Sequence, residues 1–278
     1  MRKWFLFIVL AAAASMSGCS ATRLAYTNAD VFLRWQANGY FDFNGEQGEE
    51  FERRIAAFLA WHRASALPQY ARLGEEAGKR LGRGLAREDL VWGYDAAKAQ
   101  IRESLRAAGA EMGDLLDRLE PGQIEHLERR FAEDNRKFAG EHLQGNVEQR
   151  RKRRLKRNLE RLEDWFGTLN EAQVERVRRY AERVPLALDE LRDRERRRLQ
   201  AELVALLRVR EARRRLADWA QHWDRDREPA HLAALRQLES EAFDMMLDVD
   251  KTLTPAQRAH ALERLRAYVT DFESMARQ

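Results

Sequence analysis

One cysteine, Cys19, stands in the whole chain of 278 residues, so no intrachain disulfide and no cysteine-based metal cage can form. Histidine is sparse too. His62, His126, His142, His222, His231 and His260 make no HExxH and no other short ligand spacing, and Glu125-His126 lacks the second histidine. The nearest approach to a metal grouping is His222 and His231 across a turn with Asp224 or Asp226. Surface or helix-end histidines are the better account, and neither a metal nor a cofactor is expected. No G-x-x-x-x-G-K-[ST] or G-x-G-x-x-G run is present, and Ser65, Ser104, Ser240 and Ser274 lie in no G-x-S-x-G context. Acidic pairs such as Glu49-Glu50 and Glu75-Glu76 read as solvated faces, since carboxylate pairs alone do not mark a glycosidase. The chain is therefore expected not to be an enzyme, with no catalytic residue to name. With only five prolines, and no stretch that alternates strictly enough to need a strand, long helices are left as the building material.

The first twenty residues, MRKWFLFIVLAAAASMSGCS, set the context for the rest. Arg2 and Lys3 precede an apolar run from Trp4 to Ala14, and small residues lead to Cys19. That is a secretory leader, too short and wrongly flanked for an ordinary membrane span. Met16-Ser17-Gly18-Cys19 resembles a bacterial lipobox, with methionine where leucine is commonest. The resemblance implies removal of residues 1–18 and lipidation (palmitate among the acyl chains) of Cys19 as the first mature residue. Several acyl chains on one residue give stable attachment where one would be marginal. By the same likeness, Ser20 in place of Asp points to the outer membrane, with the protein on its periplasmic face. A thiol consumed in this way leaves none for catalysis.

Charged residues make up 35 % of the chain, and the net charge of +4 includes Arg2 and Lys3 of the leader. The basic balance reflects abundant arginine against nearly equal acid, not a polyanion-binding domain. Seven tryptophans and twelve phenylalanines argue against disorder. Apolar residues recur at three-to-four spacing almost throughout. Leu24, Val31, Phe32 and Trp35 open the series, with Asn28 or Asp30 as cap. A stripe from Leu90 through Val91, Tyr94, Ile101 and Leu105 to Leu119 follows. Breaks are expected at Pro68, Gly82–Gly84, Pro121-Gly122, Gly140 or Gly145, Pro185 and 224–228. The fold class is all-α, an elongated antiparallel helical bundle or open curved array of long hairpins with roughly seven to nine helices. Residues 19–278 form one periplasmic domain, with 120–170 as the place for any subdivision.

Four helix starts share one form: Phe43-Asn44-Gly45-Glu46-Gln47, Leu119-Glu120-Pro121-Gly122-Gln123, Leu169-Asn170-Glu171-Ala172-Gln173 and Leu253-Thr254-Pro255-Ala256-Gln257. Each reads as a capping box, in which the N-cap side chain accepts from an early N–H and the glutamine reaches back. Glu120 is a poor cap, so the second copy is the weakest. Leu253–Gln257 resembles the LTxxQ motif of the Spy/CpxP-like periplasmic proteins, small helical chaperones or stress regulators that cradle clients on a concave surface. That likeness covers a few five-residue pieces. A broader one rests on the lipobox, the Cys19–Asp30 start, Trp61-His62 followed by Leu67-Pro68 and Tyr70, and the repeated caps. Together these resemble an uncharacterised family of proteobacterial lipoproteins, for which no activity is implied.

Two features remain as contact candidates. The basic run Arg151, Lys152, Arg153, Arg154, Lys156 and Arg157 is either a solvated face paired with Glu160 and Glu163 or a patch for anionic lipid or envelope polymer; nucleic acid is not an expected partner. Trp35, Trp61, Trp165, Trp219 and Trp223 fall on or beside apolar stripes, where core packing is the default and a groove for an unfolded segment, peptide or lipid is the alternative. Trp92 beside Tyr94 is ambiguous. The expected role is a binding, scaffold or chaperone-like envelope protein, its partners the membrane through the anchor and unfolded or envelope proteins, with apolar residues on a concave face rimmed by Arg153 and Arg157. The alternative is a lipid- or cell-wall-associated structural protein using the basic run.

Overall fold

The structure, a computed structural model, describes residues 19–278. The leader, residues 1–18, lies outside them, and with it Met16-Ser17-Gly18 of the lipobox. Among the described residues every regular element is helical: α1 (Cys19–Thr27), α2 (Ala29–Phe41), α3 (Gly45–Trp61), α4 (Leu67–Gly82), α5 (Arg87–Leu116), α6 (Pro121–Phe138), α7 (Val147–Phe166), α8 (Glu171–Arg183), α9 (Ala187–Arg208), α10 (Ala212–Gln221), α11 (Pro229–Asp250) and α12 (Pro255–Ala276). The all-α, elongated bundle of antiparallel hairpins read from the sequence holds.

The segments outnumber the seven to nine expected, and most of the breaks have a local cause. Asn28 separates α1 from α2 but caps nothing; its Nδ2 donates back to the Leu24 carbonyl at 2.8 Å. Pro68 cannot donate to the helix ladder, and the backbone widens into a π turn at His62–Ala66 before α4 begins. A second π turn, Ala139–Leu143, runs to Gly145, whose φ of +92° ends that stretch. Pro185 falls between α8 and α9 as expected. The break between α9 and α10 carries no glycine or proline, and Arg210 takes a left-handed φ of 55° there.

The four cap motifs meet in two matched junctions. Where α3 and α6 begin, Gln47 Nε2 donates to Gln123 Oε1 at 3.2 Å and Gln123 Nε2 returns a bond to Gln47 Oε1 at 2.7 Å. Where α8 and α12 begin, Gln173 and Gln257 exchange the same two bonds, both at 3.0 Å. Each glutamine's second donor goes to the carbonyl two residues before its partner's cap: Gln47 to Arg118, Gln123 to Asp42, Gln173 to Thr252 and Gln257 to Thr168. Each Oε1 also accepts from its own cap N–H. Both hydrogens and both lone pairs of all four amides are thus used. Asn44, Asn170 and Thr254 complete the forward half of their boxes. Glu120 does not: the Gln123 N–H bonds to the Glu120 backbone carbonyl at 2.9 Å. The weak copy is weak as read.

Two helix pairs make the longest contacts, α5 with α10 and α4 with α12. Along the first, Gly109 and Gly113 bring backbone against backbone. A Cβ on Gly113 would stand 2.8 Å from the Arg213 Cα, and one on Gly109 2.9 Å from the Ala217 Cα. Asp117 fixes the end of α10, its carboxylate accepting from the Ala212 and Arg213 N–H groups at 2.6 and 3.0 Å. This seating turns Trp219 toward α9, where its Nε1 donates to Glu202 at 3.0 Å.

Candidate functional site

The residues singled out by sequence divide sharply. The cap residues are structural joints. In the basic run, Arg151, Lys152 and Lys156 are exposed, while Arg154 points inward and is 7 % exposed. Its guanidinium donates to the Val184 carbonyl at 2.8 Å and reaches Asp189 at 3.3 Å. Burial holds its pKa below the usual guanidinium value, against the pull of Asp189. Arg154 therefore leaves the patch, because the turn after α8 needs a donor for its free carbonyls. Arg153 is spent on the Gln144 carbonyl, and Lys156 lies 3.8 Å from Glu160, the pairing expected of a solvated face. Neither Arg153 nor Arg157 lines either of the two clefts at Trp219 and Trp223. A fifth capping box, Asn146 with Gln149, starts α7 and was legible as N-x-x-Q, but it lay in a stretch poor in apolar residues.

An apolar cleft lies between α9, α10 and α11. It has a volume of about 520 Å³ and is lined by Tyr94 of α5, Phe131 of α6, Leu199 and Leu203 of α9, Trp219 of α10, Trp223 of the 222–228 connection and Leu235 of α11. Arg192, Arg196 and Arg227 also line it, with Glu195, Gln200 and His231. A second, more polar cleft of about 740 Å³ shares Trp219 and Trp223, so these two rings belong to both walls. Charged side chains hold the walls. Glu195, 8 % exposed, accepts from Arg198 at 2.9 and 3.0 Å and from Arg227 at 3.1 Å. The Arg227 guanidinium lies 4.4 Å over the Trp223 ring. Arg196 donates to Asn135, which in turn holds Gln200 at 2.7 Å. The Arg/Glu-rich stretch 192–198 forms intrahelical pairs, Arg197 with Asp193 and Arg198 with Glu195 and Glu202.

His231 is the residue that stands apart. Tyr26 bonds to His62, His126 to the Gly39 carbonyl and His222 to Asp218, and His260 is exposed. His231 is only 3 % exposed, lines the cleft, and has no hydrogen-bond partner on either ring nitrogen among the described residues. Burial, with Arg227 nearby, keeps its pKa below the usual imidazole value, which favours the neutral ring. The indole Nε1 of Trp223 is likewise buried and unpaired. A neutral imidazole offers one donor and one acceptor, and the indole one donor. Asp224, next to Trp223, is drawn away from the cleft by Lys98 at 2.6 Å and Arg102 at 2.8 Å. Among the described residues no group of three His, Cys, Asp or Glu side chains is placed to hold a metal.

The apolar surface continues outside the cleft. Val91, Tyr94, Ile101 and Leu105 lie on one face of α5 and are 37–52 % exposed, so the first half of that apolar stripe is surface. Leu24, Val31, Phe32 and Trp35 are exposed in the same way. Periodicity finds an apolar face without saying what it meets.

Residues 39–226 match the profile of a family of unknown function, DUF6279. The chain belongs to this family. No curated protein and no solved structure matches it. The matched span covers the first three cap motifs, α10 and Trp223, while His231 and the fourth motif lie beyond it.

Proposed function

We propose that this chain is an outer-membrane lipoprotein of the proteobacterial envelope, anchored at Cys19 on the periplasmic face, that binds extended apolar polypeptide segments without chemical turnover. The observation that carries the reading is the cleft beside His231. Four aromatic rings give flat apolar contact, and the wall behind them holds a buried Trp223 N–H and two buried His231 ring nitrogens without partners among the described residues. Arg192 and Arg196 in the lining suit acidic side chains of the bound segment. Tyr94 joins the cleft to the exposed stripe on α5, so the apolar track is longer than the cleft alone. The lipobox supports the address, and the LTxxQ-like caps add a likeness to helical periplasmic chaperones.

An aggregation assay tests this. The mature chain at stoichiometric ratio, without nucleotide, is expected to suppress aggregation of a chemically unfolded protein, and Trp223→Ala or Arg196→Glu to weaken suppression. No suppression at severalfold excess overturns the reading. The exposure of Arg151, Lys152 and Lys156 favours a second reading, contact with anionic lipid or envelope polymer. It predicts salt-sensitive binding to anionic vesicles that charge reversal at these three positions removes.

A further inference from the structure

Helix α2 is apolar on two faces. Leu33 and Ala37, with Tyr26 of α1, pack on the cluster formed by Phe51, Ile55 and Leu59 of α3. The other face turns outward, and there Val31 is 53 %, Phe32 57 % and Trp35 68 % exposed, with Leu24 of α1 at 64 %. The Phe32 and Trp35 rings stand 6.2 Å apart, one continuous aromatic surface. A surface helix in a chain that is 35 % charged should be polar on its outer side. Here only Arg23, Asp30, Arg34 and Asp42 carry charge between Cys19 and Phe43. Of these, Arg23 is tied to Asp271 at 2.6 Å and Arg34 to Glu52.

We propose that the outward face of α1 and α2, formed by Leu24, Val31, Phe32 and Trp35, docks on a lipid bilayer and lies in its interfacial layer. The occupant follows from position. This face belongs to the first two helices after Cys19, so the inference rests on the reading of Cys19 as acylated. Leu24 and Trp35 lie about 8 and 24 Å along the chain from that residue at helical rise, within reach of the surface to which it would be held. Spanning is not an option: α2 has 13 residues, and no described helix is long and apolar enough to cross a membrane. An amphipathic helix lying in the plane, with tryptophan at headgroup depth, fits both its length and its composition. Because the face carries so little charge, the contact does not require anionic lipid. Docking would lay α2 flat and orient the rest of the bundle relative to the membrane, where an acyl tether alone would leave it free to tumble.

The test reconstitutes the full-length protein into phosphatidylcholine vesicles whose acyl chains are brominated, a short-range quencher of tryptophan. Wild-type fluorescence is expected to be quenched relative to vesicles without bromine. In Trp35→Phe the quenched component should fall by more than about half, and in Phe32→Glu the emission of Trp35 should shift red. Mass spectrometry of the same preparation reads the modification of Cys19 separately. Acylated protein with unquenched Trp35 overturns the docking face and leaves the anchor standing; quenched Trp35 on unacylated protein does the reverse. A soluble homodimer that protects Trp35 and is dissolved by Trp35→Ser would assign the face to a second copy and also overturn the proposal. Thermal midpoints matching wild type show that the variants are folded.

Discussion

Gln173 and Gln257, 84 positions apart, exchange both of their side-chain amide bonds at 3.0 Å, and Gln173 is fully buried. Each also bonds its own cap and the turn before its partner's helix. A motif that reads as four separate helix starts is therefore two joints, each closing a pair of helix turns against another pair. The amide is the only common side chain that can do this, because the site needs two donors and two acceptors on one planar group.

Removing either member should leave one N–H and one oxygen lone pair of the other buried and unbonded, because its bonds to its own cap and to the turn carbonyl do not involve the partner. Gln173→Ala and Gln257→Ala are each expected to lose about 2–3 kcal/mol in urea unfolding. The double variant should cost clearly less than the sum, because the second truncation removes the stranded partner. Gln173→Glu should be worse at neutral pH than at pH 4, since a carboxylate there faces the Thr252 carbonyl without a hydrogen to offer it. Strict additivity of the two alanine variants would show that the amides do not act as a pair.

Opposite signs are expected within one helix. Gly113 and Gly109 of α5 sit against the backbone of α10, and an added methyl at either meets it at 2.8–2.9 Å. Gly113→Ala should destabilise by about 1–3 kcal/mol, the range of overpacked sites. At Gly93, in the same helix, a Cβ would meet nothing within 4 Å. Gly93→Ala should stabilise by about 1 kcal/mol through helix propensity. Thermal melts of the two single variants decide the point.

His231 makes a prediction that runs against intuition for a buried residue. His231→Leu removes two unbonded ring nitrogens from an apolar wall and should raise the stability of the free protein by about 1 kcal/mol. Its folded pKa is depressed by burial, so the unfolded chain takes up a proton near the ordinary value of about 6.5 before the folded one does. Wild-type stability should therefore fall, relative to His231→Leu, as pH drops from about 7 to 5. The same variant should weaken suppression of aggregation. A leucine variant that is less stable at pH 7.5 would mean the nitrogens are bonded within the protein.

Asp224 gives the complementary pH signature. Burial raises its carboxyl pKa, but hydrogen bonds from Lys98 and Arg102 outweigh burial and leave it at about 2. A depressed acid stabilises above its unfolded pKa and loses that contribution as pH falls through the folded one. Asp224→Asn should cost about 2 kcal/mol at pH 6. The difference should shrink below pH 4 and be mostly lost by about pH 2, as followed by chemical unfolding across that range.

Much of this was readable from local chemistry. Pro185, Gly145 and the glutamine caps announce themselves within five residues, because a missing N–H, a positive φ or a reach-back bond is a short-range affair. The partner of each cap is not, since Gln47 and Gln123 are 76 positions apart and nothing in either motif names the other. The break at Arg210 escaped for a similar reason: the cap of α10 is Asp117, supplied by a different helix. Spacing at Leu24, Val31, Phe32 and Trp35 marks an apolar face, and only the packing of Leu33 and Ala37 on α3 shows that the core is on the other side. The cleft was legible in part, as Trp219 and Trp223. His231 was not, because an unbonded nitrogen is a property of neighbours rather than of sequence.

The bond from Arg23 to Asp271 joins the first described helix to the last across 248 positions. Helix α12 is also the long partner of α4 and the home of Gln257. Chains are made from the N-terminus, so α1 and α4 emerge well before the helix they need, and the Gln173 joint waits for it as well. Synthesis and closure of this part of the bundle are thereby separated: α4 and Gln173 are without their partners until residues 255–276 have been made.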